Sequence, residues 1–173
     1  MAITKIQSES LNLADTYDFT GTVTGAGGVM TPAFEAYVSS TQTITDNVMT
    51  KIQFDTEILD TDSCYDNTTN YRFTPTTAGK YYVYANVMGR AGGTNLQYYL
   101  LNIYKNGSQV RRTQIDCIGN EIDNTNIVNN AILDFNGSTD YVEVFAQIND
   151  SSGNPEIYAG AQSSFFGAYK IIE

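Results

Sequence analysis

Histidine and tryptophan are both absent from this chain of 173 residues. Without histidine it lacks the side chain that most often moves protons near neutral pH and most often holds transition metals, so the familiar hydrolase and zinc chemistries lose their main participant. Catalysis is not expected. Long apolar runs are missing too: nothing approaches the ~20 consecutive apolar residues of a membrane-spanning helix, so membrane insertion is not expected. The N-terminus, MAITKIQSESLNLAD, has no basic stretch leading into an apolar run and so reads as carrying no secretory signal, which implies synthesis in a cytoplasm. Cysteine is scarce. Cys64 and Cys117 lie far apart, each within two residues of an acid, and neither has the CxxC spacing of a metal or redox site. They would either bridge two strands or loops or stay as separate thiols in a reducing compartment, and separate thiols are the expectation.

Charge is sparse and one-sided. Only 16% of residues are charged, and 19 acids against 9 bases leave a formal charge of −10, which repels a phosphate backbone and makes nucleic acid an unfavourable partner. The polarity that remains comes from Thr, Asn, Ser and Gly, a mixture suited to strands and turns. The length fits one domain. Its first thirty residues differ from the rest, being polar, poor in large apolar groups, and closed by glycines at Gly25, Gly27 and Gly28. Such a segment cannot bury a core alone. Ile3, Ile6, Leu11, Leu13, Tyr17 and Phe19 are spaced so that the segment can pair with copies of itself or dock on a larger surface. We read residues 1–30 as a stalk or anchor, with the glycines as a joint, and residues 31–173 as the domain.

From Pro32 onward the apolar pattern has period two, the mark of strands with one buried face. Phe34, Ala36 and Val38 face one way, Ile52 and Phe54 form another short strand, and Tyr82, Tyr84 and Asn86 alternate with Tyr81, Val83, Ala85 and Val87. Asn106-Gly107 and Asn136-Gly137 each lie between alternating runs, and this dipeptide is a strong hairpin signal because tight primed turns need positive φ. SSFFGAYKII reads as a terminal strand, and no helix of useful length has a 3.6-residue period. An all-β sandwich or jelly roll follows.

Several strands, taken in order, resemble the globular head of complement component one-q and the jelly-roll superfamily that includes tumour necrosis factor. The matching pieces are PAFEAY at 32–37, KIQFDTE at 51–57, YDNTTNYRFTPTTAGKYYVYANV at 65–87, LNIYKNG at 101–107 and FFGAYKI at 165–171. The loop at 115–130 is particular to this chain. The resemblance implies a jelly-roll β-sandwich of about ten strands that assembles as a homotrimer. Thirteen tyrosines exceed the need of one small core, and aromatics are enriched where protein surfaces meet. Tyr81, Tyr82, Tyr84, Tyr98 and Tyr99 are the interface candidates. The leading segment resembles that of bacteriophage structural proteins, in which stretches like NLAD and FTGTVTG precede varied C-terminal modules; no collagen-like run stands there, unlike the complement proteins.

Three sets of polar residues are candidates for binding. Asp55, Glu57, Asp60, Asp62 and Asp66 form the densest acidic stretch, and calcium takes about six to eight oxygens that such a loop could supply. The spacing lacks the glycine and terminal glutamate of an EF-hand, and a solvated loop with mutually repelling acids is the stronger reading; Asp55 and Asp66 also belong to the family resemblance. Asn120, Asn124, Asn126, Asn149, Asn154 and Tyr158 bring amide and aromatic chemistry to 118–130 and 148–163, which suits a host-surface carbohydrate or protein, although ordinary polar loops share that composition. Arg111 and Arg112 form the only basic doublet; blocking edge aggregation is the stronger reading, and meeting an acidic sugar or a neighbour's carboxylates the other. The function expected is a non-enzymatic trimeric virion appendage, made in the host cytoplasm, joined to other virion proteins by its N-terminus and displaying its head to the host. The alternative is a capsid decoration or head fibre. A soluble ligand of the tumour necrosis factor kind would need a secretion signal.

Overall fold

The computed structural model describes residues 30–93, 96–151 and 153–171. The six anchor candidates from Ile3 to Phe19 lie outside the described residues. Strands run in the order β1 (Ala33–Tyr37), β2 (Gln42–Thr43), β3 (Thr50–Lys51), β4 (Thr56–Asp60), β5 (Tyr65–Asp66), β6 (Arg72–Phe73), β7 (Gly79–Arg90), β8 (Leu96–Lys105), β9 (Ser108–Asp116), β10 (Asn124–Phe135), β11 (Val142–Asp150), β12 (Glu156–Ile157) and β13 (Phe165–Lys170). Among the described residues there is no helix. The count exceeds the expected ten because five of these are two-residue pieces of ladder.

All pairings are antiparallel and build two sheets. One has the order β2-β12-β7-β13-β1-β4, with β10 on the other side of β7; the other has the order β5-β6-β11-β8-β9, with β3 also on β11. The all-β jelly-roll sandwich read from the alternation is therefore the fold. Alternation also explains the core. In β7 the residues Tyr81, Val83, Ala85 and Val87 point inward, and β8 and β11 answer with Tyr99, Leu101 and Ile103 and with Val144, Ala146 and Ile148. Between the sheets the ring of Phe34 stacks on Tyr65 at 4.6 Å and on Phe73 at 4.5 Å and meets Phe166 edge-on at 4.8 Å.

The two Asn-Gly steps have different fates. Asn106 and Gly107 have φ of 52° and 75° and close a two-residue hairpin between β8 and β9. Asn136-Gly137 does not close a hairpin, because β10 pairs with β7 while β11 pairs with β8. Its connection crosses from one sheet to the other. The Asn136 side-chain oxygen accepts backbone N–H bonds from Ser138, Thr139 and Asp140, shaping a wider turn. At Gly137, with φ of 71°, an added Cβ would lie 2.3 Å from the Ala78 nitrogen, so a close approach of two loops requires this glycine. Ile52 and Phe54 are buried as expected but follow β3 in irregular backbone. Cys64 and Cys117 are free thiols, both buried, and do not form the bridge that was the alternative reading.

Phe34 touches both sheets at the centre of the aromatic stack, so Phe34→Ala should cost about 3–5 kcal/mol of stability, measured as a lower midpoint in urea denaturation.

Candidate functional site

The outward side of the seven-stranded sheet is assembled by register. β7 turns Tyr82, Tyr84, Asn86 and Met88 away from the core. β13 sets Tyr169 opposite Tyr82, Gly167 opposite Tyr84 and Phe165 opposite Asn86. β1 adds Ala33, Glu35 and Tyr37 beside those three, and β10 adds Ile132, Asn130 and Val128 on the far side of β7. The rings touch: Tyr82 lies 5.9 Å from Tyr84 and 5.6 Å from Tyr169, and Tyr84 lies 6.4 Å from Phe165. Gly167 has no side chain for a reason, since a Cβ there would sit 2.4 Å from the Tyr84 ring lying across it. The Tyr84 hydroxyl donates to Glu35 Oε2 at 2.7 Å. Burial first, and the acceptor carboxylate second, push the Tyr84 phenol well above its usual range. Along the β10 edge Val128 and Ile132 remain 58% and 60% exposed. A contiguous aromatic and aliphatic face of this kind marks a contact surface.

Only two of the five predicted interface tyrosines stand on it. Tyr81 and Tyr99 are fully buried, at 0% exposure, and their hydroxyls donate to backbone carbonyls of Thr77 at 2.8 Å and Val87 at 3.3 Å. Burial raises the Tyr81 phenol to about 12. Tyr98 belongs to the other sheet, where its hydroxyl meets Asn47 and Gln147. Tyr82 and Tyr84 are on the face. Tyr37, Phe165, Tyr169, Val128 and Ile132 were missed, because the signal that finds them is the cross-strand register and not any local motif.

The acidic stretch does not converge. Among the described residues no three acidic or cysteine side chains come together as a metal cage. Three of the acids are occupied by other parts of the chain: Asp55 accepts from the Ser39 N–H at 2.8 Å and hydroxyl at 2.6 Å, and Asp60 from the N–H groups of Cys64 at 3.0 Å and Tyr65 at 2.9 Å. Asp66 accepts from Thr68, Thr69 and Asn70 backbone N–H groups and from the Asn70 amide at 2.6 Å. Glu57 and Asp62 face solvent. Strand β4 and the turns after it aim these groups at different backbone segments, so the calcium candidate is not supported as a joint site. The Asp66 carboxyl is held far below the ordinary carboxylate range, chiefly by the Thr69 N–H and then by its other donors against a smaller burial effect. Glu57 is shifted upward by burial and by the Asp60 charge.

The amide-rich residues gather at one end of the sandwich but not at one site. Asn124 and Asn126 are on β10, opposite Arg90 and Met88, and are not in a loop. Glu156 also pairs with Arg90, and Asp123 lies 3.7 Å from its guanidinium. Asn149 is on β11 opposite Tyr98, on the other sheet. Asn120 and Asn154 occupy exposed turns, and Tyr158 is exposed with its N–H bonded to the Met88 carbonyl at 2.9 Å. Among the described residues no cavity opens at this end. We call it the apex. The chain enters at the opposite end, the base, where Pro32 and Lys80 accept from the Lys170 and Ile171 N–H groups. There Asp140 ties the two Asn-Gly turns together, pairing with Lys105 at 2.9 Å and accepting from the Asn106 amide at 2.8 Å and the Asn136 N–H at 3.0 Å. Base and apex are separated by the 12 residues of β7, about 36 Å at ~3.3 Å per residue.

This arrangement is the tumour necrosis factor and complement one-q jelly roll. The structure of Eiger, a tumour necrosis factor from S. frugiperda, superposes with a TM-score of 0.58 at 12% identity, over 80% of this chain and 91% of that one. The globular domain of the zebrafish complement 1qA protein superposes with a TM-score of 0.54 at 13% identity, over 81% of this chain and 97% of that one. No family model matches the chain, and no curated protein matches it in sequence. The shared property is the fold.

A carboxylate whose proton affinity is lowered by folding stabilises the native state above its unfolded range near pH ~4 and stops doing so as pH falls below it. Asp66 is such a group. Asp66→Ala should lower the melting temperature by about 3 °C at pH 7, equivalent to about 1 kcal/mol, and the difference from wild type should shrink as the pH is taken from 5 towards 2.

Proposed function

We propose that this chain is a non-enzymatic, homotrimeric appendage of a bacteriophage virion, attached through residues 1–30 and presenting the jelly-roll apex to the host cell surface. The observation that carries the reading is the outward face of half-buried Tyr37, Tyr82, Tyr84, Phe165 and Tyr169 bordered by the exposed Val128 and Ile132. A long strand edge with exposed aliphatic side chains invites uncontrolled pairing unless it is covered, and a copy of the same chain covers it with matching stoichiometry. The polarity of the head supports the rest: the chain arrives at the base, and the amide-rich apex lies at the far end, as display from a stalk requires. The leading segment's resemblance to phage structural proteins supplies the setting, the virion, with synthesis in the host cytoplasm.

Binding with avidity is the mechanism. Three weak apex sites held on one stalk raise effective affinity without new contacts, for host carbohydrate or protein. Three copies also triple the formal charge of −10, which keeps neighbouring heads apart.

Sedimentation should show a trimer at micromolar concentration and dissociation to a folded monomer in Ile132→Asp; a wild-type monomer at that concentration rejects the trimer. Removing residues 1–30 should leave a folded trimer that no longer joins particles. Purified head should compete with phage adsorption to cells, and trimers that join particles without competing assign the chain to capsid decoration.

A further inference from the structure

The basic doublet is divided by strand alternation. On β9, Arg112 stands opposite Asn102 and Arg111 opposite Ile103. Asn102 is on the outward side of its sheet, and Arg112 is engaged there, its Nε donating to Asn102 Oδ1 at 3.2 Å and a terminal nitrogen to Gln109 Oε1 at 3.0 Å. Arg111 leaves the strand on the other side. Ile103 on that side is core, but β9 is the last strand of its sheet, so the Arg111 side chain emerges exposed on the flank where β9 runs beside β10 without sharing a ladder. Among the described residues its guanidinium makes one hydrogen bond, to the carbonyl of Val110 at 3.4 Å. Val128 and Ile132 of β10 stand at the border between this flank and the aromatic face.

Glu35 is the complementary group. It stands within the aromatic face, between Gly167 of β13 and Leu59 of β4, and among the described residues no cation pairs with it. The Tyr84 hydroxyl occupies one of its oxygens. Covering the face removes water from this carboxylate, and an ion left in a dry contact with one phenolic hydrogen bond is costly unless a donor arrives with the covering surface. The face has little to offer itself: Lys80 at its base is paired with Asp134 at 3.4 Å, and Arg90 at its apex with Asp123 at 3.7 Å. Two identical faces pressed together would leave both Glu35 carboxylates without a cation. Flank against face brings one, and a contact between two different surfaces of the same chain closes into a ring when the rotation between copies is a third of a turn.

We propose that Arg111 of one copy pairs with Glu35 of the next, with the β9–β10 flank seated on the aromatic face, and that this ion pair sets the orientation of the copies. The proposal rests on the reading of that face as a self-association surface. The pairing gives the doublet separate tasks: Arg112 braces its own sheet, and Arg111 selects the neighbour.

Charge exchange tests it. Glu35→Arg and Arg111→Glu should each weaken association by at least about tenfold, and the double variant should recover to within about threefold of wild type, because the pair is restored with its signs reversed. Glu35→Gln keeps an acceptor for Tyr84, so it should fold normally, weaken association and flatten its salt dependence. Melting curves confirm that each variant is folded. Single variants that associate as tightly as wild type, while Ile132→Asp dissociates, overturn the pairing and leave the association surface standing. A double variant as weak as its singles also overturns it. A wild-type chain that is monomeric overturns the association surface and the pairing together.

Discussion

The register of β7 against β10 and β13 governs both what is buried and what is presented. β7 is paired along its whole length with β10 on one side and with β13 and β12 on the other, so its side chains have no freedom to exchange faces. Slipping by one residue would turn Tyr82 and Tyr84 into the core and put Tyr81, Val83 and Val87 outside. The aromatic stack around Phe34 and the outward aromatic face are therefore two consequences of one alignment. Gly167 shows how tightly they are coupled: the inward packing of Phe166 and the outward passage of the Tyr84 ring are both secured within two adjacent residues of β13.

Polar groups inside the sandwich follow the rule that burial is tolerated when every donor and acceptor is matched. Asn129 points inward from β10 and donates to the Leu101 carbonyl at 2.8 Å, linking the two sheets where they share no ladder. Asp150 accepts the Gly92 N–H at 2.9 Å, Ser164 accepts the Met88 N–H at 3.2 Å, and the buried Glu143 is paired with Lys51. Among the described residues no buried side-chain polar atom lacks a partner. These bonds tie turns to strands, which is how a chain rich in Asn, Asp, Ser and Thr closes loops without a disulfide. The acidic stretch obeys the same logic. Asp60 and Asp66 are occupied by local N–H groups and so shape the turns between β4 and β6 instead of meeting at an ion.

The two ends of the sandwich differ in chemistry. The base is bound by the Lys105, Asp140 and Asn136 network and by the β13 ladder. The apex holds exposed amides, Tyr158 and the exposed turn at 118–120, set over the buried Cys117, Leu96 and Ile157. Sites for variable recognition suit that position, because substitutions there disturb few core contacts.

Much of this was legible in the residues. Alternation marked the strands and the inward set of β7, and Asn106-Gly107 marked a tight hairpin. These are local properties, set by backbone sterics and by period-two burial, and they do not wait for the rest of the chain. What tertiary structure decided was everything that depends on which strands are neighbours. Tyr98 and Tyr99 are adjacent and equally aromatic, yet one lies outside and one is sealed in the core, because only the facing sheet determines which side of β8 is dry. Asn136-Gly137 has the same dipeptide as the true hairpin, yet it carries the chain between sheets. Of five acids close in sequence, three were sent to different partners and two to solvent, and seven side chains from four strands were gathered into one face. Sequence by itself determines periods and turns; adjacency across the sandwich arises only when the whole core closes.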